Sequence, residues 1–371
     1  MKSDQSFQIS LFDDCAEGCE AYAACGGQRK SAPCGCVWNI QSGLRHKCEI
    51  CSIVCRERGL YNSSPKLILK SFEEEIGNGL QLEQVSIAQQ RFALPSFIPA
   101  HTEQYKNGKL NTVWVAVDVS SMFNAKKSSG AVLKPSFINE KSLRAYLNIP
   151  DNCRLIAVLN GKDKYLESLW ATDRENVLRK LRQLGFELCT APTFSISKFT
   201  HLDTPVPYAH HMAMFMRHHK VLSEIDNAGL CAVPNLYWLP DDTREINRWA
   251  DWLKKNPMVN MVSKDFTSTR QWVTIEPKLK ELVSLLANAG RSFHILIVGT
   301  GSANARRVVT MLKKAGHKIT IISSAPIMKA IKGHRYYVNN NGSLMDEKWM
   351  QGTLSDIMEN NLKIFEEHLN T

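Results

Sequence analysis

From residue 113 to residue 322, short apolar runs alternate with longer amphipathic stretches. The runs are rich in β-branched side chains and apolar throughout, which is typical of parallel strands covered on both faces. They predict strands at residues 113–117, 155–159, 186–189, 230–233, 259–262, 293–298 and 318–322. The stretches between them have helical periodicity, and several end in glycine, as helices often do. The clearest predicted helices are at residues 173–185, 207–229, 244–255, 277–290 and 304–316.

This alternation predicts an α/β protein with a buried parallel sheet covered by helices. Its regularity favours a TIM-like β/α barrel, closed or nearly closed, over an open doubly wound sheet. We expect the barrel at residues 111–371, with residues 335–338 as the candidate eighth strand. Residues 61–110 are predicted to be a connector, because a short helix there is followed by a proline-containing stretch with little periodicity.

Residues 1–60 differ from the rest, because eight of the eleven cysteines of the chain lie there. The segment has few large apolar residues, so it cannot bury a core of its own. We expect a reducing compartment, where a cysteine cluster binds metal more often than it forms disulfides. The predicted metal ligands are Cys15, Cys19, Cys25, Cys34, Cys36, Cys48, Cys51 and Cys55.

The cysteine spacing favours an iron–sulfur cluster but leaves zinc as an alternative. Cys48 and Cys51 form a Cys-x-x-Cys pair, and Cys55 follows, which resembles a cluster-binding run completed by a remote thiolate. Structural zinc modules usually have two such pairs. An iron–sulfur cluster is therefore the favoured cofactor, with zinc as the alternative. Its expected role is to fold the segment, and a redox or substrate-activating role is the alternative.

Composition and charge limit the class of protein. The chain is 44% hydrophobic and 22% charged, which excludes a collagen, a disordered tail and a small disulfide scaffold. No apolar run reaches the roughly 18 residues of a membrane helix, and the N-terminus is too polar for a signal peptide. We therefore expect a cytoplasmic protein with no membrane partner. The net charge is +10, and residues 1–60 are balanced, so the excess favours binding of a nucleotide or nucleic acid by the barrel.

Polar residues just past the C-terminal ends of barrel strands are the natural place for chemistry. Asp118, Asp163 and Lys264 occupy such positions and are the candidate catalytic residues. Asp118 suits a general base, a nucleophile or a metal ligand, and its alternative role is to cap the following loop. Lys264 and Asp265 are the best-placed acid/base pair, although adjacent residues commonly point in opposite directions. The other polar residues at predicted strand ends include Asn160, Asn235 and Ser263.

A glycine-rich turn follows the predicted strand at residues 293–298. Gly299, Gly301 and Ser302 precede a helix there, an arrangement in which backbone N–H groups and the helix dipole can hold a phosphate. The turn lacks the third glycine of a dinucleotide fingerprint and the lysine of a P-loop. Phosphate sites of β/α barrels often form late in the strand order, which suits this position. A tight turn without a ligand is the alternative.

Several residues between 155 and 300 match a family pattern. These are Asp163, Glu167 and Trp170; Pro192, Phe194 and Ser195; Asp203 and Pro205; Arg217 and Gly229; Val233, Pro234 and Trp238; and Val262 and Ser263. In this stretch the chain resembles the bacterial and phage domain-of-unknown-function family numbered 4417. Thr193 and Met214 depart from the family pattern. The resemblance implies a barrel-like fold and a setting of phages and mobile elements, with the cysteine segment as an addition.

Two functions follow from these observations. The first is an enzyme that acts on a nucleotide or nucleic acid, with the phosphate at Gly299–Ser302 and the chemistry near Asp118, Asp163 and Lys264. The second is a nonenzymatic nucleic-acid-binding component of a mobile-element or defence system. Carboxylates gathered at the strand ends favour the enzyme, whereas a Lys/Arg stripe away from the barrel mouth favours the binding component.

Overall fold

The structure is a computed structural model, and it describes residues 79–102, 108–126, 130–196, 208–240, 242–269, 271–349 and 351–371. The chain divides into two compact units. Met1–Val85 and Phe194–Lys220 form the first unit, and Ser86–Thr193 and Val221–Thr371 form the second. The cysteine segment at residues 1–60 lies outside the described residues, so its metal site stays a prediction.

The described part of the first unit is small. It contains a 3-10 turn at Leu82–Gln84 and most of a helix that ends in the second unit. The Leu80 N–H donates to the Met216 carbonyl oxygen at 3.3 Å, and the Arg217 guanidinium lies 5.7 Å from the centre of the Phe194 ring.

Eight parallel strands of the second unit, all within the described residues, form a β/α barrel, which confirms the barrel part of the predicted fold class. In chain order the strands are β1 (Phe97–Pro99), β2 (Trp114–Asp118), β3 (Phe123–Lys126), β4 (Gly130–Leu133), β5 (Arg154–Val158), β6 (Phe186–Thr190), β7 (Cys231–Val233), β8 (Met261–Asp265), β9 (His294–Val298), β10 (Lys318–Ser323), β11 (His334–Val338) and β12 (Leu344–Lys348). The barrel consists of two four-stranded sheets with the orders β1-β10-β9-β8 and β2-β5-β6-β7.

Two isolated parallel bridges join these sheets into a ring. Ala100 pairs with Ala116 between β1 and β2, and Asn235 pairs with Ser263 between β7 and β8. The His101 N–H donates to the Ala116 carbonyl oxygen at 2.8 Å, and the Leu236 N–H donates to the Ser263 carbonyl oxygen at 2.8 Å. Every barrel strand therefore has a neighbour on both sides, and chain order and spatial order coincide around the ring.

The prediction that residues 335–338 form the eighth barrel strand was wrong. Residues 335–338 belong to β11, which pairs with β12 as an antiparallel hairpin outside the barrel. The remaining barrel strand is β1, which lies in the segment predicted to be a connector and places the start of the barrel before residue 111. A strand of three residues that ends in Pro99 is too short to show a period. β11 has a buried Tyr336 beside an exposed Tyr337, the one-sided burial of an antiparallel strand.

Apolar side chains from all eight strands fill the barrel interior. The cluster consists of Ile98, Trp114, Ala116, Ile156, Val158, Leu188, Val233, Met261, Leu296 and Ile322. Phe92 and Leu94, from the segment before β1, pack against it. In the same segment the Gln90 side chain donates to the Ala232 carbonyl oxygen at 2.7 Å and accepts from the Met261 N–H at 2.6 Å. The N-terminal end of the barrel is therefore closed by this segment.

Helices follow most of the strands. They are α1 (Val119–Met122), α2 (Glu140–Leu147), α3 (Asp163–Trp170), α4 (Arg174–Gln183), α5 (Tyr208–Asn227), α6 (Thr243–Lys255), α7 (Trp272–Asn288), α8 (Gly301–Lys314), α9 (Ala325–Ile331) and α10 (Leu354–Asn370). The helix predicted to begin at residue 277 begins five residues earlier, with Pro277 inside α7. Proline fits the first turns of a helix better than its middle, which is why the sequence suggested a start at that residue.

Candidate active site

A layer of polar side chains lies above the apolar interior, toward the C-terminal ends of the strands. Side chains alternate between the two faces of a strand, so Thr190, Asn235 and Ser263 continue the inward-facing rows of Leu188, Val233 and Met261. Asn160 continues the row of Ile156 and Val158 in the same way. Asn160 is 5% exposed, and Thr190, Asn235 and Ser263 are fully buried.

The polar atoms of these four side chains have no partner among the described residues. They are the Nδ2 and Oδ1 atoms of Asn160 and Asn235, the Thr190 Oγ1 and the Ser263 Oγ. A buried polar group without a hydrogen bond costs about 1–3 kcal/mol, so folded proteins retain few of them. Four such residues at the end of the barrel where these folds bind their ligands identify the candidate site.

Asp118 lies beside this layer at the end of β2, and it caps α1. Its Oδ1 accepts hydrogen bonds from the Ser121 N–H at 2.7 Å and from the Ser120 hydroxyl at 2.8 Å. The capping role expected as the alternative is therefore present. Both bonds use the same oxygen, and the side chain is half-buried at the barrel mouth. The second carboxylate oxygen is thus the one available for chemistry there.

His101 is a candidate that the sequence did not indicate. It follows β1, it is 2% exposed, and its ring centre lies 5.5 Å from that of Tyr146. Burial lowers the pKa of His101 to about 4, although the nearby Asp118 carboxylate opposes the shift. The imidazole is therefore neutral at pH 7, the form that can accept a proton. No sequence signal pointed to His101, because the strand that positions it was not predicted.

The structure does not bring Asp163 into the buried polar layer. Asp163 is the first residue of α3 and is exposed. A carboxylate in the first turn of a helix interacts favourably with the helix dipole, which accounts for the residue without chemistry.

Lys264 and Asp265 lie on opposite faces of β8. Asp265 continues the inward row of Met261 and Ser263, whereas Lys264 points outward. The Lys264 Nζ donates to the Leu236 carbonyl oxygen at 2.9 Å and lies 3.6 Å from the centre of the Trp238 ring. Burial lowers the pKa of Lys264 to about 7. The two residues therefore do not form an acid/base pair at the barrel mouth.

The turn after β9 has the geometry expected of it. Gly299 and Gly301 have positive φ angles of 82° and 69°, and α8 begins at Gly301. Thr300 is 2% exposed, and its Oγ1 has no partner in the described part of the chain. Ser302 lies close to the buried Tyr336 hydroxyl. The first-turn N–H groups of α8 and the Thr300 hydroxyl are therefore the groups that an anion would meet.

The described residues contain no group of three or more His, Cys, Asp and Glu side chains that could hold a metal ion. The three cysteines outside the N-terminal segment carry thiols without disulfides. Burial raises the pKa of Cys153 to about 11 and that of Cys231 to about 12, and it raises the pKa of Cys189 further. These thiols are protonated core residues. In the same part of the chain, no helix is long and apolar enough to span a membrane.

Neither a family model nor a curated protein matches this chain. Among solved structures, a mutant tryptophan synthase alpha-subunit from the hyperthermophile Pyrococcus furiosus is 13% identical, with a TM-score of 0.38, over 74% of this chain and 98% of that chain. A D-psicose 3-epimerase with D-tagatose from Clostridium cellulolyticum H10 is 12% identical, with a TM-score of 0.35, over 69% and 85%. The barrel assignment rests on the strand order of this chain itself.

Proposed function

We propose that this chain is a β/α-barrel enzyme that acts on a nucleotide or on a nucleotide unit of a nucleic acid. The observation that carries the proposal is the buried polar layer of Asn160, Thr190, Asn235 and Ser263, whose polar atoms have no partner among the described residues. A structural core would replace such groups with apolar side chains of similar shape. Their retention at the C-terminal end of the barrel is the expected result of selection for a ligand.

The layer suits a ligand with several hydrogen-bonding groups. Each of the two asparagines offers an acceptor oxygen and a donor nitrogen, and the two hydroxyls can do either. This set complements the edge of a nucleobase or the hydroxyls of a sugar. In the proposed reaction, the second carboxylate oxygen of Asp118 at the barrel mouth accepts a proton from the substrate, and the neutral imidazole of His101 lies nearby.

The phosphate of such a substrate is assigned to the turn at Gly299, Gly301 and Ser302. Three features support this assignment: the N-terminus of the 14-residue helix α8, the buried Thr300 hydroxyl and the position after the seventh barrel strand. Arg306 and Arg307 do not add to it, because Arg306 donates to the Gly342 carbonyl oxygen and Arg307 lies over the Trp272 ring.

The matched substitutions Thr190→Val and Thr320→Val test the proposed pocket. Both threonines are fully buried in the barrel interior, at opposite ends. The Thr320 hydroxyl forms hydrogen bonds with the Pro95 carbonyl oxygen and with the His294 ring. The Thr190 hydroxyl has no hydrogen-bond partner among the described residues. We expect Thr190→Val to raise the free energy of unfolding by about 1 kcal/mol and Thr320→Val to lower it by about 1–2 kcal/mol.

Urea unfolding measures both changes, and calorimetric titration with nucleoside mono-, di- and triphosphates measures binding. We expect Thr190→Val to weaken nucleotide binding about 3- to 10-fold, and Thr320→Val to leave it unchanged. If Thr190→Val destabilises the protein as Thr320→Val does, the Thr190 hydroxyl has a structural partner. If the wild-type protein binds none of these nucleotides, the substrate class is wrong.

The cysteine segment is proposed to hold an iron–sulfur cluster, with zinc as the alternative, through Cys15, Cys19, Cys25, Cys34, Cys36, Cys48, Cys51 and Cys55. Protein purified without oxygen is expected to contain iron and sulfide in equal amounts and to absorb visible light. Because eight thiolates make two sites of four ligands, replacing Cys48 and Cys51 together with serine is expected to remove about half of the metal, whereas replacing Cys153 with serine is not. Stoichiometric zinc in the purified protein would replace iron–sulfur with zinc as the assigned metal. Folded protein that contains no metal would contradict the proposed metal site.

A further inference from the structure

The positive charge of this protein is concentrated in one segment. Residues 282–345 contain nine lysines and arginines and no aspartate or glutamate, so they carry +9 of the net charge of +10. The nine are Arg291, Arg306, Arg307, Lys313, Lys314, Lys318, Lys329, Lys332 and Arg335. Because the segment itself contains no acid, only acidic side chains of other segments can offset its positive charge.

Several of these cations have structural partners. Arg291 donates to backbone carbonyl oxygens at the N-terminal side of the barrel, and Lys329 pairs with Asp346 at 2.6 Å. The Arg335 guanidinium lies 4.5 Å from the centre of the Trp349 ring. The exposed cations are Arg307, Lys313 and Lys314 on α8, Lys318 at the start of β10 and Lys332 just after α9, and of these Arg307 also lies over the Trp272 ring. The charge available to a partner therefore lies mainly along one helix.

An open groove of about 400 Å³ runs between that helix and α7. Its lining residues are Trp272, Arg306, Arg307, Thr310, Met311 and Lys314. The Arg307 guanidinium lies 5.4 Å from the centre of the half-buried Trp272 ring. The neighbouring acid is Glu276, which is paired with Lys280 at 2.8 Å and also interacts electrostatically with Arg307. The groove therefore combines an aromatic ring and an apolar side chain with an excess of positive charge.

We propose that the groove between α7 and α8 binds single-stranded nucleic acid. A base would stack in the groove against Trp272 and Met311, and the flanking phosphates would meet Arg307, Lys313 and Lys314. A duplex cannot place a base there, because its bases are stacked within the helix. An acidic protein segment would use the lysines and arginines but would gain little from the aromatic ring. The proposal does not rest on the activity proposed for the barrel mouth.

Two lysine pairs of the chain provide a matched test. Lys313 and Lys314 end α8, and Lys254 and Lys255 end α6 on another part of the barrel; all four are exposed. Binding of the full chain to fluorescent oligo-dT would be measured by anisotropy at several salt concentrations. We expect Lys313→Gln with Lys314→Gln to reduce the salt slope by about 0.7 for each phosphate that is no longer neutralised, and Lys254→Gln with Lys255→Gln to leave it unchanged.

Trp272 provides the second readout. Trp272→Ala is expected to weaken oligo-dT binding at least about fivefold with the salt slope retained, and Trp272→Phe is expected to restore much of the affinity. Circular dichroism checks that each variant is folded. Equal losses of affinity for the two lysine pairs would overturn the proposal. It would also be overturned by a duplex or poly-glutamate competing as well as oligo-dT while Trp272→Ala binds normally.

Discussion

Replacing Gly299 with alanine is expected to lower the free energy of unfolding by about 3–5 kcal/mol, because two penalties combine at this position. The φ angle of 82° is strained for any residue with a side chain. The added Cβ would also lie 2.5 Å from the Thr267 Oγ1 and 2.6 Å from the Thr267 Cα. Because the second neighbour is backbone, the clash cannot be relieved by a change of rotamer.

Gly301 provides the control for this prediction. Its φ angle is also positive, but an added Cβ would have no atom within 4 Å. Gly301→Ala is therefore expected to cost only the strain of the left-handed conformation, about 1–2 kcal/mol. Urea unfolding of the two variants separates the effects. Similar losses of stability at both positions would mean that Thr267 moves aside without cost.

Gly299→Ala and Gly301→Ala also test the proposed phosphate site. Since the space around Gly301 is open, the new methyl group would occupy the region through which an anion approaches the first turn of α8. Folded Gly301→Ala protein is expected to bind nucleotide more weakly than the wild type. Unchanged affinity would remove the phosphate from this turn while leaving the buried polar layer as a site.

Lys264→Met is expected to raise the free energy of unfolding at pH 7 by about 2–4 kcal/mol. The ammonium group is buried against Trp238, and its pKa is lowered from 10.5 to about 7. Between pH 7 and pH 10 the unfolded chain therefore binds a proton that the folded chain has released, so the stability of the wild type increases with pH. The variant lacks this increase.

Urea unfolding at pH 7, 8 and 9 measures the difference in slope, and Lys255→Met, at an exposed lysine, is the control. Since Lys264 points away from the barrel interior, nucleotide binding is expected to persist in Lys264→Met. A loss of activity with the fold and the nucleotide affinity retained would restore Lys264 as an acid/base residue. A lower stability at pH 7 would mean that the contacts with Leu236 and Trp238 outweigh the cost of burial.

Seven of the eight barrel strands could be predicted from the sequence, because a strand buried on both faces must be apolar along its whole length. The apolar run at residues 293–298 became β9, and the run at 318–322 became β10. β1 could not be predicted from the sequence, because a strand of three residues shows no periodic pattern. Its position depends on pairing with its neighbours β10 and β2. His101 was missed with it.

The candidate site could be predicted only in part. The rule that polar residues past strand ends carry chemistry selected Asn160, Asn235, Ser263 and Asp118, and the structure places all four near the barrel mouth. The same rule selected Asp163, which is exposed on α3. Thr190 was overlooked, because a threonine that ends an apolar run is indistinguishable in sequence from an ordinary strand residue.

The sequence by itself determined the order of strands and helices, the separate character of the cysteine segment and the sign of the charge. These depend on which residues are neighbours along the chain. The tertiary structure decided which face of each strand looks inward and which polar groups meet. Lys264 and Asp265 are adjacent in sequence, yet the pleat of β8 sends one outward and the other to the barrel mouth. Asn160 and Asn235 are 75 residues apart, and they share one layer because β5 and β7, which they follow, both pair with β6 in the same sheet.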